Sequence, residues 1–153
     1  MTETMLAKIK MHIAKLHYKQ HRLLTLLLVL SVLLRVGVAF YKGDHVPPPP
    51  NAPDGTSYSY LAERLVTGHG YSFDQPWYPF GKPAGYPTAQ WSFLYTAFVS
   101  SVYALFGIHP LAARLIGAVL GGLLLPLMVY RLSQRLLPSQ DRVALFAVGC
   151  AAL

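Results

Sequence analysis

Two apolar runs decide what this chain can fold into. Leu23 to Tyr41 reads LLTLLLVLSVLLRVGVAFY, and Leu111 to Tyr130 reads LAARLIGAVLGGLLLPLMVY. Each is about the ~20 residues that a helix needs to cross the hydrocarbon core of a bilayer. The rest of the composition agrees: 54% of the 153 residues are hydrophobic and only 12% are charged, far from the balance of an ordinary soluble domain. The expected fold is all-α, a polytopic membrane protein with two full transmembrane helices.

The formal charge of +7 raises the question of nucleic acid. The basic residues flank the apolar runs instead of forming one stripe with interleaved aromatics, so they read as topology signals and nucleic acid is not expected as a partner. The single cysteine, Cys150, sits in an apolar run and offers neither a disulfide framework nor a thiolate cage.

Residues 1–22 carry Lys8, Lys10, Lys15, Lys19 and Arg22 against one acid, Glu3, with Met5, Ile9, Ile13 and Leu16 on one helical face. A cleaved signal peptide would have a shorter apolar run and a small-x-small site close behind it, so residues 23–41 are read as a retained span. The basic lead-in keeps the N-terminus in the cytoplasm and places the segment after the span outside. Arg35 is a costly charge roughly 9 Å below the outer end of that span. It either snorkels to the headgroups or faces a site.

Residues 42–110 form the external loop. Pro47 to Pro50 give it a stiff, extended entry. Tyr58, Leu61, Ala62, Leu65 and Val66 then recur at helical spacing, predicting an amphipathic helix over about 57–67 on the membrane surface, ended by Gly68. Asp54 falls just ahead of its first turn and reads either as a cap or as a chemically active carboxylate. The run from Thr88 to Phe106 carries no charge and holds Trp91, Phe93, Tyr95, Phe98, Tyr103 and Phe106 among Gln90, Ser92, Thr96, Ser100 and Ser101. It reads as an interfacial helix. Were it a span, the arginine-rich segment 131–142 would lie outside, against the positive-inside rule.

The second span, 111–130, contains Gly117 and Gly121 at the G-x-x-x-G spacing that admits a neighbouring helix, and Pro126 as a point for a kink. Segment 131–142 returns to the cytoplasm, and 143–153 opens a third apolar run too short to cross. The expectation is therefore a fragment of a longer polytopic protein, with a partial third span. His45, His69 and His109 are isolated and read as loop histidines. No phosphate-binding glycine loop, metal-spaced histidine pair or Ser-His-Asp set is evident.

The order of motifs is a span, a loop opening Pro53-Asp54-Gly55-Thr56-Ser57-Tyr58, the segment LAERLVTGHGYSF, then Gly81-Lys82-Pro83-Ala84-Gly85-Tyr86, an aromatic run closing Leu105-Phe106-Gly107, and a span from Arg114 to Tyr130-Arg131-Leu132. Over residues 23–153 this resembles the N-terminal part of the membrane glycosyltransferases of the C superfamily, which includes protein O-mannosyltransferases and aminoarabinose transferases of lipid A. The likeness is greatest to the bacterial dolichyl-phosphate-mannose-type members.

The resemblance implies transfer of a sugar from a polyprenyl-phosphate carrier to an acceptor hydroxyl at the outer face of a bacterial plasma membrane. It implies Asp54 as the catalytic carboxylate of the P-D-x-x-x-Y pattern, Tyr58 as a substrate contact, and Lys82 beside the lipid phosphate. Arg35 and Arg114, near the outer ends of their spans, are further candidate substrate contacts. Gly55 and Gly81 stand where many relatives carry a second acid, so neither a metal nor any cofactor beyond the lipid-linked donor is expected. The alternative is a truncated, non-catalytic membrane protein whose helices pack or scaffold.

Overall fold

The computed structural model describes residues 3–46, 53–76, 83–138 and 140–153. Pro47 to Pro50 and the Gly81-Lys82 pair lie outside the described residues. Among those described, the chain is all-helical: α1 (Glu3–Lys42), α2 (Pro53–Val66), α3 (Phe93–Phe106), α4 (Pro110–Leu136) and α5 (Asp141–Ala152). The basic lead-in and the first apolar run are one continuous helix of 40 residues. Two helical stretches, Tyr18–Lys42 and Pro110–Leu136, are long and apolar enough to cross a membrane. Only 17% and 22% of their apolar windows are buried within the protein. Core helices of a globular domain would be mostly covered, whereas these leave Leu33, Val38, Leu124 and Met128 exposed.

The chain divides into two compact units. The first takes in Met1–Val38 and Gly117–Leu153. Its core is Leu24, Leu145 and Val148, with Leu27, Leu28 and Tyr130 packed against them. Helix α4 runs through Pro126, which is fully buried. Close approach of α1 and α4 depends on a glycine one residue past the Gly117–Gly121 spacing. A Cβ at Gly121 would meet nothing within 4 Å, while one at Gly122 would lie 3.0 Å from both the Cα and the Cγ2 of Val32. Glycine spacing alone does not say which rotation of the helix faces its neighbour.

The second unit, Ala39–Ile116, is built on α2 and α3. Gly68 ends α2 as its sequence position suggested. Its φ is +80°, the Gly68 amide donates to the Leu65 oxygen at 3.3 Å, and the His69 amide reaches back to Arg64 O at 2.8 Å. This is the Schellman pattern of paired bonds that satisfies the last carbonyls of a helix. The chain then forms a narrow antiparallel contact. Ser72 bridges to Pro87, the Thr88 amide donates to Tyr71 O at 3.0 Å, and the Gly85 amide donates to Phe73 O at 2.6 Å. The two glycine-bearing segments on either side of Lys82 are thereby brought together.

Leu61, Phe73 and Trp91 form one buried cluster of this unit; Ala62, Val99, Val102, Tyr103 and Ala113 form another. Of the face of α2 predicted from its spacing, Leu61 and Ala62 are fully buried, Tyr58 and Leu65 partly so, and Val66 is exposed. Helix α3 has 14 residues, a rise of about 21 Å against the ~30 Å of a hydrocarbon core, so it is too short for a straight crossing.

Substitution at the two neighbouring glycines should separate them. Gly122→Val is expected to destabilise the first unit by about 1–3 kcal/mol through overpacking against Val32. Gly121→Ala is expected to be neutral or mildly stabilising, because alanine is the better helix former and has space. Thermal unfolding in detergent micelles checks both; equal shifts would mean that the α1–α4 contact is not made at Gly122.

Candidate functional site

Asp54 lies inside the first turn of α2, not ahead of it. The helix starts at Pro53, where a fixed φ suits the first helical position and a missing N–H costs nothing. Asp54 follows, its negative charge set against the positive end of the helix dipole. The carboxylate is exposed, and among the described residues it makes no hydrogen bond. At 100° per residue it falls on the same side of the helix as Tyr58, whose ring meets α3, and Leu61, which is buried with Phe73 and Trp91.

Tyr58 is held from two sides. Its hydroxyl accepts the Ser92 amide at 3.4 Å, and its ring meets Tyr95 edge to face at 5.0 Å between centroids. Beside it, the hydroxyls of Ser59 and Tyr103 are hydrogen-bonded at 2.8 Å. Burial raises the Tyr103 phenol above its usual range, so it stays neutral. A cavity of about 150 Å³ opens here, lined by Gly55, Tyr58, Ser59, Tyr95, Tyr103 and Arg114 among others. The structure therefore brings Tyr58 and Arg114 to one cavity, with Asp54 one helical turn before Tyr58.

Arg114 is engaged with backbone at the end of α1. Its guanidinium donates to Gly43 O at 2.5 Å and to His45 O at 3.1 Å. Those carbonyls come just after a helix C-terminus, where backbone oxygens are short of partners and a cation is favoured. The converse contact lies alongside. Asp44 Oδ1 accepts the Leu111 amide, in the first turn of α4, at 2.9 Å, and Asp44 Oδ2 lies 2.8 Å from His109 Nδ1. An ionised carboxylate is acceptor-only, so Nδ1 carries the hydrogen. The backbone amide and the imidazole hold the Asp44 carboxyl below its ordinary value of 3.8. His45, His69 and His109 are all exposed, as their sequence positions suggested.

Arg35 belongs to the first unit. It donates to Ser31 Oγ at 2.6 Å, to Ala152 O at 2.8 Å and to Ala151 O at 3.1 Å. Its charge is thus met by protein oxygens. Lys82 lies outside the described residues. Among the described residues no three His, Cys, Asp or Glu side chains gather closely enough to hold a metal ion.

Asp44 is the residue that sequence reading missed. Its partners are 65 and 67 positions away, and no periodicity links them. A signal stood at the other end: Pro110 opens α4 without a Ser, Thr, Asp or Asn just before it, so that helix has to take an acceptor from elsewhere.

The contact has a definite pH dependence. A carboxyl with a depressed folded pKa contributes stability above its unfolded value, near 3.8, and loses it as pH falls through the lower folded value. The Leu111 amide resonance should therefore titrate with a midpoint below 3.8, and Asp44→Asn should abolish that titration. An NMR titration in micelles with a midpoint at or above 3.8 would remove Asp44 as the cap of α4. No protein-family model, curated protein or solved structure matches the chain.

Proposed function

We propose that this chain is the N-terminal, acceptor-activating part of a membrane glycosyltransferase of the C superfamily, with a polyprenyl-phosphate sugar as donor and a hydroxyl compound as acceptor. In this reading α1 and α4 cross the plasma membrane with the N-terminus in the cytoplasm. Helices α2 and α3 lie in the outer interface. The observation that carries the reading is the placement of Asp54: a carboxylate open to solvent in the first turn of an amphipathic helix, one turn from a tyrosine-lined cavity, with the family's motifs coming after it in order.

The reaction is a displacement at the anomeric carbon. Asp54 accepts the proton of the acceptor hydroxyl as its oxygen bonds to C1 of the sugar. The C1–O bond to phosphate breaks on the opposite face, and polyprenyl phosphate leaves with the electron pair. A positioned base of this kind contributes roughly 10²- to 10⁴-fold. Lys82 stabilises the charge growing on the departing phosphate. Tyr58 shapes the cavity next to the base. Arg114 acts as a positioning residue that fixes the loop, because its guanidinium is already bound to α1 carbonyls.

A second reading, a membrane protein whose helices only pack or scaffold, is favoured by the same two arginines. Arg35 and Arg114 are both committed to backbone oxygens instead of facing outward.

Two measurements separate the readings. In membranes holding the full-length protein, Asp54→Asn is expected to lower transfer of labelled sugar from the lipid-phosphate donor at least ~100-fold, with expression and melting unchanged. Unchanged transfer would reduce Asp54 to a helix-terminus charge. For topology, a reporter fused after Leu136 is expected in the cytoplasm and one placed after His69 outside. A Leu136 reporter found outside would make the Thr88–Phe106 region a crossing segment.

A further inference from the structure

Helix α2 has a second cavity on its other side. Thr56, Ser57, Tyr60, Phe73, Asp74 and Gln75 line a hollow of about 430 Å³ within the Ala39–Ile116 unit. Size distinguishes it from the cavity at Tyr58. Small-molecule sites measure ~300–1,000 Å³, so a space of about 150 Å³ is too small for a ring-sized ligand and one of about 430 Å³ is not.

The lining has one apolar wall and one polar rim. Tyr60 and Phe73 lie nearly parallel, 5° apart with centroids at 5.8 Å, and Phe73 is backed edge-on by Trp91 at 5.2 Å. The Arg64 guanidinium lies 5.9 Å over the Tyr60 ring while donating to Ser72 Oγ at 3.2 Å, which braces that ring from its own helix. The polar part of the lining is the Asp74 carboxylate, the Gln75 amide and the Thr56 hydroxyl. Burial first, then the neighbouring Asp74 carboxylate, raises the Tyr60 phenol above the ordinary value of 10.0, so the hydroxyl remains a donor.

This chemistry selects its ligand. A phosphate or other anion would meet the Asp74 carboxylate, and none of the described lining residues is a cation. An acyl chain would make no use of the carboxylate and the amide on the polar rim. A ring with an apolar carbon face and equatorial hydroxyls satisfies both sides: its C–H groups rest on the negative faces of aromatic rings, and its hydroxyls bond to a bidentate carboxylate and an amide that both donates and accepts.

We propose that the Thr56–Tyr60–Asp74–Gln75 pocket binds a pyranose ring, stacked on the Tyr60–Phe73 wall and held through its hydroxyls by Asp74 and Gln75. Ser57 stands three residues after Asp54 on α2, a rise of about 4.5 Å, so a sugar in this pocket lies within one helical turn of the proposed base. That it is a reacting sugar rests on the glycosyl-transfer reading above; that the pocket takes a sugar does not. The ring is either the one carried by the donor lipid or one presented by the acceptor.

The test uses the full-length protein in micelles and the methyl glycosides of glucose, mannose and galactose as probes, with binding read by saturation-transfer NMR. At least one glycoside is expected to bind saturably. Asp74→Asn and Gln75→Ala are each expected to weaken it at least tenfold. These are surface substitutions, and a melting curve superimposable on wild type confirms the fold. In the transfer assay, a raised KM for the lipid-linked donor in Asp74→Asn assigns the pocket to the donor sugar, and a raised KM for the acceptor assigns it to the acceptor.

Binding that is absent, or indifferent to both Asp74→Asn and Gln75→Ala, overturns the pocket even if Asp54→Asn abolishes transfer. Binding that depends on Asp74 without any sugar transfer leaves the pocket standing and removes the glycosyltransferase reading.

Discussion

Two opposite charges fix the ends of the Ala39–Ile116 unit. Arg114 covers the carbonyls just past the C-terminus of α1, and Asp44 covers an amide at the N-terminus of α4. Each side chain comes from the neighbourhood of the other's helix end, so the two contacts are reciprocal: the negative pole takes a cation and the positive pole takes an anion. Everything between Gly43 and Pro110 is thereby closed into a loop with paired ends. The entropy of closing a loop grows only slowly with its length, which leaves so long an insertion open to order once its ends are held. Without those contacts the orphan groups at both helix termini would need water or other partners.

Within that closure α2 works on both of its flanks. Its packed face carries Leu61 and Ala62 into two buried clusters, leaving a cavity on each side of the helix near its N-terminal end. The flanks differ in chemistry. One is tyrosine-rich, small, and shares a wall with Arg114; the other combines stacked aromatic rings with a carboxylate and an amide. Asp54 stands at the turn from which both begin, and that position, more than any contact it makes, is what recommends it as a base.

The features readable from the residues alone came from repetition and from punctuation. The two apolar runs, the amphipathic spacing of Tyr58 to Val66 and the stop at Gly68 each rest on local rules of length, period or positive φ, and the structure carries all three. The start of α2 was misplaced because the apolar pattern begins at Tyr58, whereas the helix is initiated by Pro53 and Asp54, which contribute nothing to that pattern. The Gly117–Gly121 spacing announced a close helix approach without naming its partner, and the glycine that meets Val32 is Gly122, one residue past that spacing. The Asp44 cap and the backbone partners of Arg114 and Arg35 were invisible for a different reason. They join residues distant in sequence, and nothing in the local pattern of either partner announces the other.

Helix α3 combines two features with a joint effect. Thr96 and Tyr103 are buried and engaged through their hydroxyls, with Thr96 bonded to Ser92 O and within reach of Tyr71, while Leu94 is 81% and Leu105 78% exposed. The helix turns part of its polar chemistry inward and leucines outward, the reverse of what water selects. A fragment cut to residues 39–116 would keep its hydrogen-bonded interior yet present a greasy flank to solvent. It would be soluble only where amphiphiles cover that flank, which makes the detergent as much a part of preparing this unit as the buffer.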